Sequence, residues 1–250
     1  MSPLNGQTII FLPGMDGTGV SFEPLRQVLP QDLNVKVIRY PTDRLLSFEE
    51  TVQCAKEQIQ TDQEDMIVLA ESFSGPVAIS LVSSGQLKAK CLILCSTFAK
   101  SPRPLLLKIL IYLPLEFLMR LPLPRFLFKL VFKGEEEATD LFLAMWQKVK
   151  ALVPAKVLVH RIKVINRVDV RGLLPKLTIP CLYIQATSDR SVPESSLSDF
   201  TEAISDLRVK RIKGPHFILQ AKPQASLTAI QNFVGLITSQ SSGSRLSCDR

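Results

Sequence analysis

Two serines two residues apart, Ser72 and Ser74 in LAESFSGP, follow the apolar run Met66 to Leu69 and precede the helix-like stretch Val77 to Val82. A strand that ends in hydroxyl side chains among small residues, and turns at once into a helix, is a setting in which a serine can be held as a nucleophile. The backbone doubles back there, so the residues two before and two after the tip must be small. With Ser72 at the tip those positions are Ala70 and Ser74; with Ser74 at the tip they are Ser72 and Pro76, and Pro76 better suits the first turn of the following helix. Ser72 is therefore favoured. The stretch departs from Gly-x-Ser-x-Gly at both Ala70 and Ser74, and a serine at a helix start serves equally well as a simple N-cap. Partners elsewhere in the chain must decide.

A serine hydroxyl needs a base to take its proton, usually histidine, and the base needs a third group to fix its tautomer. The chain has two histidines. His160 lies in VLVHRIKV, where a packed or surface role is expected. His216 lies in KGPHFILQAKP, directly after the apolar run ending at Ile212, and a loop at a strand end is where such a base belongs. Asp189 in PCLYIQATSDRSVP stands just beyond another buried run, whereas CLILCSTF ends without a carboxylate and Asp199 and Asp206 read as surface charges. Backbone N–H groups must also receive the oxyanion of a tetrahedral intermediate. The glycine-rich loop FLPGMDGTG turns sharply at Gly14 and Gly17, so the amide of Met15 can face that oxygen together with the amide of Phe73. As a nucleotide loop the same glycines are in the wrong order, G-x-x-G-x-G, and lack the Walker Lys and Ser/Thr.

These loops need a scaffold. Short apolar runs recur at Thr8 to Leu12, Val35 to Tyr40, Met66 to Ala70, Cys91 to Cys95, Cys181 to Gln185 and Leu207 to Ile212. Most are continuous rather than alternating, as in parallel strands buried on both faces. Helical patterns lie between them at Phe22 to Leu29, Phe48 to Ile59 and Val77 to Ser84, so the fold class is α/β, a mostly parallel central sheet flanked by helices. The core is assigned to residues 1–100 and 175–238. Residues 101–174, rich in leucine, phenylalanine and basic side chains but without a convincing strand, are expected to form an inserted helical cap, and 239–250 a disordered tail. The first half of the insertion is interrupted by Pro114, Pro122 and Pro124 and by Lys108, Glu116, Arg120, Arg125 and Lys129, and so does not suit a membrane span. Its apolar stripe suits packing on the sheet domain, and equally an apolar substrate pocket or contact with a membrane surface.

Length and composition agree with one ordered globular unit: 250 residues, 46% hydrophobic and 21% charged. The net charge of +7 permits anionic lipids, acidic carrier proteins or nucleic acid as partners. The basic residues are dispersed and no RNA-type aromatic motif or zinc-finger spacing accompanies them, so no nucleic-acid partner is expected. Five scattered cysteines, Cys54, Cys91, Cys95, Cys181 and Cys248, read as free thiols of a reducing compartment. The opening MSPLNGQTII lacks a basic region followed by an apolar core, so the cytoplasm is the expected location.

The order Gly-loop, Ser, insertion, Asp, His, each at a strand end, resembles the α/β-hydrolase superfamily from about Gln7 to Leu236. FLPGMDGTG, LAESFSGP, ATSDRSVP and GPHFILQ are similar to its oxyanion loop, nucleophile elbow, acid loop and histidine loop; Ala70 replaces the first elbow glycine and Pro13 stands where the family often has histidine. The early antiparallel strands common in the family are not expected here. The resemblance implies that Ser72 attacks an acyl carbon, that His216 acts as general base and then general acid, that Asp189 orients the imidazole, and that the Met15 and Phe73 amides form the oxyanion hole, with no cofactor and no metal. The expected activity is hydrolysis of carboxylic esters or thioesters, with the insertion's leucines and phenylalanines suggesting an apolar acyl group. An acyltransferase with the same triad and an alcohol acceptor is the alternative, and a non-catalytic binding module on the same fold a third reading.

Overall fold

A computed structural model describes residues 2–59, 66–120 and 136–245. Residues 121–135 of the expected insertion, and 246–250 with Cys248, lie outside the described residues.

Six strands, β1 (Thr8–Leu12), β2 (Asn34–Val37), β3 (Met66–Glu71), β4 (Ala89–Cys95), β5 (Cys181–Ala186) and β6 (Leu207–Ile212), form one sheet in the order β2-β1-β3-β4-β5-β6. Every neighbouring pair is parallel. β3 and β5 are buried from end to end, which their unbroken apolar runs require, because helices cover both faces of a parallel sheet. The edge strand β6, LRVKRI, leaves three central residues exposed, and its basic side chains keep that edge from pairing with another chain.

Side chains alternate across each strand, and the core divides accordingly. Ile10, Leu12, Val68, Ala70, Leu92 and Leu94 pack under α2 (Phe48–Ile59) and α3 (Ser74–Ser83). Ile9, Phe11, Ile67, Leu69 and Ile93 face the other way, against α1 (Glu23–Arg26) and a long C-terminal helix. That helix runs Pro223–Arg245, so it continues past residue 239, where the tail was expected to begin.

Between β4 and β5 the described chain is helical: α4 (Pro104–Tyr112), α5 (Leu115–Arg120), α6 (Glu136–Leu152) and α7 (Ala155–Ile165). The two ends of this insertion are stitched together by an antiparallel bridge between Lys100 and Asp169, with Ser101 N–H donating to Val168 O at 3.0 Å and Val170 N–H to Ala99 O at 2.7 Å. No described helix is long and apolar enough to cross a membrane. After β5 follow α8 (Ser198–Ala203), β6, α9 (Ile218–Ala221) and α10, the Pro223–Arg245 helix.

The strand order decides where a ligand can sit. From β1 the chain crosses to β2 on one side and then returns to lay β3 on the other, so the loops after β1 and β3 leave the sheet in opposite directions and open a crevice at its carboxyl edge. Those are the loops that carry Gly14 to Gly17 and Ser72.

Candidate active site

Ser72 directly follows β3 with φ at 50°, a left-handed conformation that is rare for a residue with a Cβ. Its N–H donates to Cys95 O at 2.9 Å and its carbonyl accepts from the Thr97 hydroxyl, so the turn is bonded on both sides to the end of β4. Gly75 allows this closeness: a Cβ there would run into the Thr97 side chain. Ser74 is fully buried, its hydroxyl donating to Pro13 O and accepting from the Tyr40 hydroxyl at 2.6 Å. It is a tie between the β1 loop, the segment after β2 and α3, turned away from the crevice that Ser72 faces.

The lacing at the sheet's carboxyl edge continues outward. Ser96 N–H donates to Ile184 O, Thr187 N–H to Ile212 O, and Ser188 N–H to Gly214 O, which holds the loops after β4, β5 and β6 side by side. Asp189 and His216 stand on the last two of these. Asp189 Oδ1 accepts the N–H groups of Ser191 and Val192, both at 2.8 Å, leaving Oδ2 for His216 Nδ1 at 2.7 Å. A carboxylate can only accept, so Nδ1 carries the proton and the lone pair of Nε2 faces Ser72 Oγ at 2.9 Å. The Asp189 side chain is 5% exposed and that of His216 24%. Burial alone would lower the His216 pKa, but the charge of Asp189 and its hydrogen bond, with a smaller contribution from Glu71, outweigh it and the net shift is upward. His160, the other histidine, lies on α7 and bonds Leu46 O at 3.0 Å, away from this chain of contacts.

The β1 loop forms the facing wall. Gly17 N–H donates to Gly14 O at 3.1 Å, closing a turn. In a trans peptide the N–H points opposite to the C=O, so the Met15 N–H is aimed out of that turn. Among the described residues neither the Met15 nor the Phe73 N–H donates to a protein acceptor.

Sequence reading missed three members of the site. Arg161, on α7, is 6% exposed and donates to Met15 O at 2.9 Å, Asp16 O at 2.6 Å and Pro41 O at 2.9 Å, with its guanidinium 5.9 Å from the Tyr40 ring centre. Gly17, at φ 70°, leaves room for that guanidinium, which a Cβ would meet at 2.5 Å. A signal was present: Val157, Arg161, Val164 and Ile165 share the inward stripe of α7, so a charge stood at a core position. Glu71, beside the serine, is buried, bonds Gln220 Nε2 at 2.8 Å, and is pushed up to about 7 by burial, against the opposing effect of that bond. Gln220 is the third.

These groups open into a cavity of about 440 Å³. Ser72, His216 and Met15 lie at its polar end, and the insertion supplies Leu107, Phe142, Trp146, Val149, Leu158 and Ile162 to its apolar wall. Phe142 bridges Trp146 and Phe217, with ring centres 6.2 and 5.6 Å away. Among the described residues no cluster of three His, Cys, Asp or Glu side chains is placed to hold a metal ion.

The architecture is shared with known proteins. An enol-lactonase from Burkholderia xenovorans superposes with a TM-score of 0.72 at 17% identity, covering 92% of each chain. A bromoperoxidase from Bacillus anthracis gives 0.71 at 19% identity, over 91% of this chain and 92% of that one. An esterase from Exiguobacterium antarcticum gives 0.72 at 14% identity, over 94% and 93%. The chain has the α/β-hydrolase fold. No family model matches it. A curated relative, phytyl ester synthase 1, chloroplastic, from Arabidopsis thaliana, is 28% identical over 123 residues, which span 46% of this chain and only 18% of that protein's length.

Proposed function

We propose that the chain is a serine hydrolase that cleaves carboxylic esters or thioesters of apolar acyl groups. The observation that carries this reading is the hydrogen-bonded line from Ser72 Oγ through His216 to Asp189 at the mouth of an apolar cavity. Ser72 Oγ attacks the acyl carbon while its proton passes to His216 Nε2, and the Asp189 carboxylate stabilises the imidazolium. The Met15 and Phe73 N–H groups receive the oxyanion. His216 then returns the proton to the departing alcohol or thiol, leaving an acyl-Ser72 ester. Water repeats the sequence, its proton taken by His216 and delivered to Ser72 Oγ as the acid departs. The insertion acts as a cap that selects the acyl group. No step calls for a cofactor or metal. The four described cysteines are free thiols, which suits a reducing compartment such as the cytoplasm.

Labelling by a fluorophosphonate tests the reading. Label should be lost in Ser72→Ala and His216→Ala and kept in Ser74→Ala. Wild-type protein that is folded but takes no label would favour the non-catalytic binding module.

A second reading is favoured by one finding, the local similarity to a protein named an ester synthase. In an acyltransferase an alcohol in place of water resolves the acyl-Ser72 intermediate, with the same residues in the same roles. Product analysis with and without an added long-chain alcohol separates the two, since only a transferase accumulates the new ester at the expense of free acid.

A further inference from the structure

We propose that α4 and α5 form a docking surface for an anionic lipid bilayer, placed so that a lipid acyl chain passes from the bilayer into the cavity. The cargo rests on the acyl-ester reading above; the surface does not. Of the ten large apolar side chains most exposed among the described residues, six lie between 105 and 117, including Leu105 at 76%, Ile109 at 63%, Tyr112 at 89% and Phe117 at 61%. Leu105, Ile109 and Tyr112 recur at i, i+4 and i+7, so they make one stripe along α4. A helix packed on a protein normally turns such a stripe inward. Here Leu107 serves the core and both α4 and α5 contact α7, yet the stripe faces out. Contiguous exposed apolar surface of this kind marks an interaction site.

Charge and position say what covers it. Residues 100–120, which hold both helices, carry Lys100, Arg103, Lys108 and Arg120 against one acid, Glu116, a net of +3. Lys108 is exposed on α4 itself, Lys100 is exposed four residues before that helix begins, and Arg103 lies at the cavity rim with its Nε donating to Arg190 O at 2.8 Å. An anionic bilayer offers negative headgroups over an apolar interior, and basic amphipathic helices lie in that plane. At 9 residues α4 is too short to span and long enough to lie flat. An acidic carrier protein would satisfy the lysines and leave the apolar stripe in water, so the bilayer is the better match. Leu106 is exposed and, with Leu107, lines the cavity. The patch thus runs without a polar break to the rim, and an acyl chain can make the passage without crossing water.

The test is co-sedimentation of the full chain, carrying Ser72→Ala so that no lipid is consumed, with vesicles of phosphatidylcholine alone or with about a third phosphatidylglycerol. Preference for the anionic vesicles of roughly tenfold is expected, falling with added salt. A variant with Leu105→Ser, Ile109→Ser and Phe117→Ser should lose binding by roughly tenfold or more. In the Ser72 background these three changes should leave the rate on a water-soluble short-chain ester unaltered, because none of them lines the cavity. If the triple variant does not fold, Lys108→Glu takes its place, with loss of the anionic preference expected. Failure of the wild-type surface to bind either vesicle, undiminished binding by the variants, or binding to an acidic carrier protein in place of vesicles would each overturn the proposal. Vesicle binding by a chain that turns over no ester would uphold the surface and remove the acyl-ester reading instead.

Discussion

Ser72 pays for its exposure with backbone strain: its φ of 50° costs a residue with a Cβ about 1–2 kcal/mol, while glycine adopts it freely. Ser72→Ala and Ser72→Gly both lack Oγ and should both be inert, but the glycine variant should be the more stable by about 1 kcal/mol in urea unfolding. Equal stabilities would mean that the turn is not strained. His216 gives a second expectation. A general base must be neutral, and its pKa stands above the usual 6.5, so activity should be lost as pH falls through a limb lying above that value. Asp189→Asn removes the charge that raises it, and the limb of kcat/KM should move down even as the rate drops by roughly 10⁴. Glu71 bears on stability. Its pKa rises from 4.5 to about 7 on folding, so the folded form holds the proton more tightly; that advantage is full below pH 4.5 and gone above about 7. Glu71→Gln, neutral throughout, should gain on the wild type across that window by on the order of 3 kcal/mol in chemical unfolding. Ser72, Asp189 and His216 were legible because each lies at the end of an apolar run, where chain order fixes position. Glu71 and Gln220 were not, since their pairing joins the end of β3 to α9, a contact no local pattern encodes.

Arg161 belongs to the scale of elements, because it ties α7 of the insertion to the turn after β1. Its three bonds go to carbonyls in Met15, Asp16 and Pro41, and the first two lie in the turn that aims the Met15 N–H. In the proposed mechanism it is a positioning residue. Arg161→Met removes the donor to those partly buried carbonyls and frees the turn, so kcat should fall by roughly 10–10³ with KM little changed, and Arg161→Lys should recover part of the loss. A rise in KM alone would assign the residue to substrate binding. The six strands were legible to within a few residues because parallel strands buried on both faces must be continuously apolar. The helices were less so: α1 is only four residues long after a 3-10 turn at Val20–Phe22, and α10 runs on to Arg245 through serines and glycine that read as tail. At Phe22 to Leu29 the pattern predicted a longer helix than the Glu23–Arg26 that forms, whereas at 239–245 local propensity favoured a tail; packing against the sheet accounts for α1 and for the buried face of α10 up to Ile237.

At the scale of the molecule, the proposed function draws its reacting groups from the sheet's carboxyl edge, while residues between β4 and β5 supply the greater part of the apolar wall, so in that proposal chemistry and selectivity reside in different parts of the chain. A cavity of about 440 Å³ lined by Phe142, Trp146, Val149 and Leu158 rewards each methylene that reaches it. Burying one contributes about 0.8 kcal/mol, or roughly fourfold in kcat/KM where binding is uniform. Along a series of straight-chain p-nitrophenyl esters, kcat/KM should therefore climb by up to that factor per carbon and then level off when the cavity is filled. Ile162 lies on α7 with its side chain at the wall and partly exposed, so Ile162→Phe grows into the cavity rather than into the core. That variant should level off at a shorter chain and keep the wild-type rate on the shortest ester, because the distances among Ser72, His216 and Asp189 are set by the strand-end loops and not by α7. A flat series in the wild type would remove the apolar acyl group from the proposed function while leaving the nucleophile in place; a series that climbs equally far in Ile162→Phe would place the acyl chain along some other wall of the molecule.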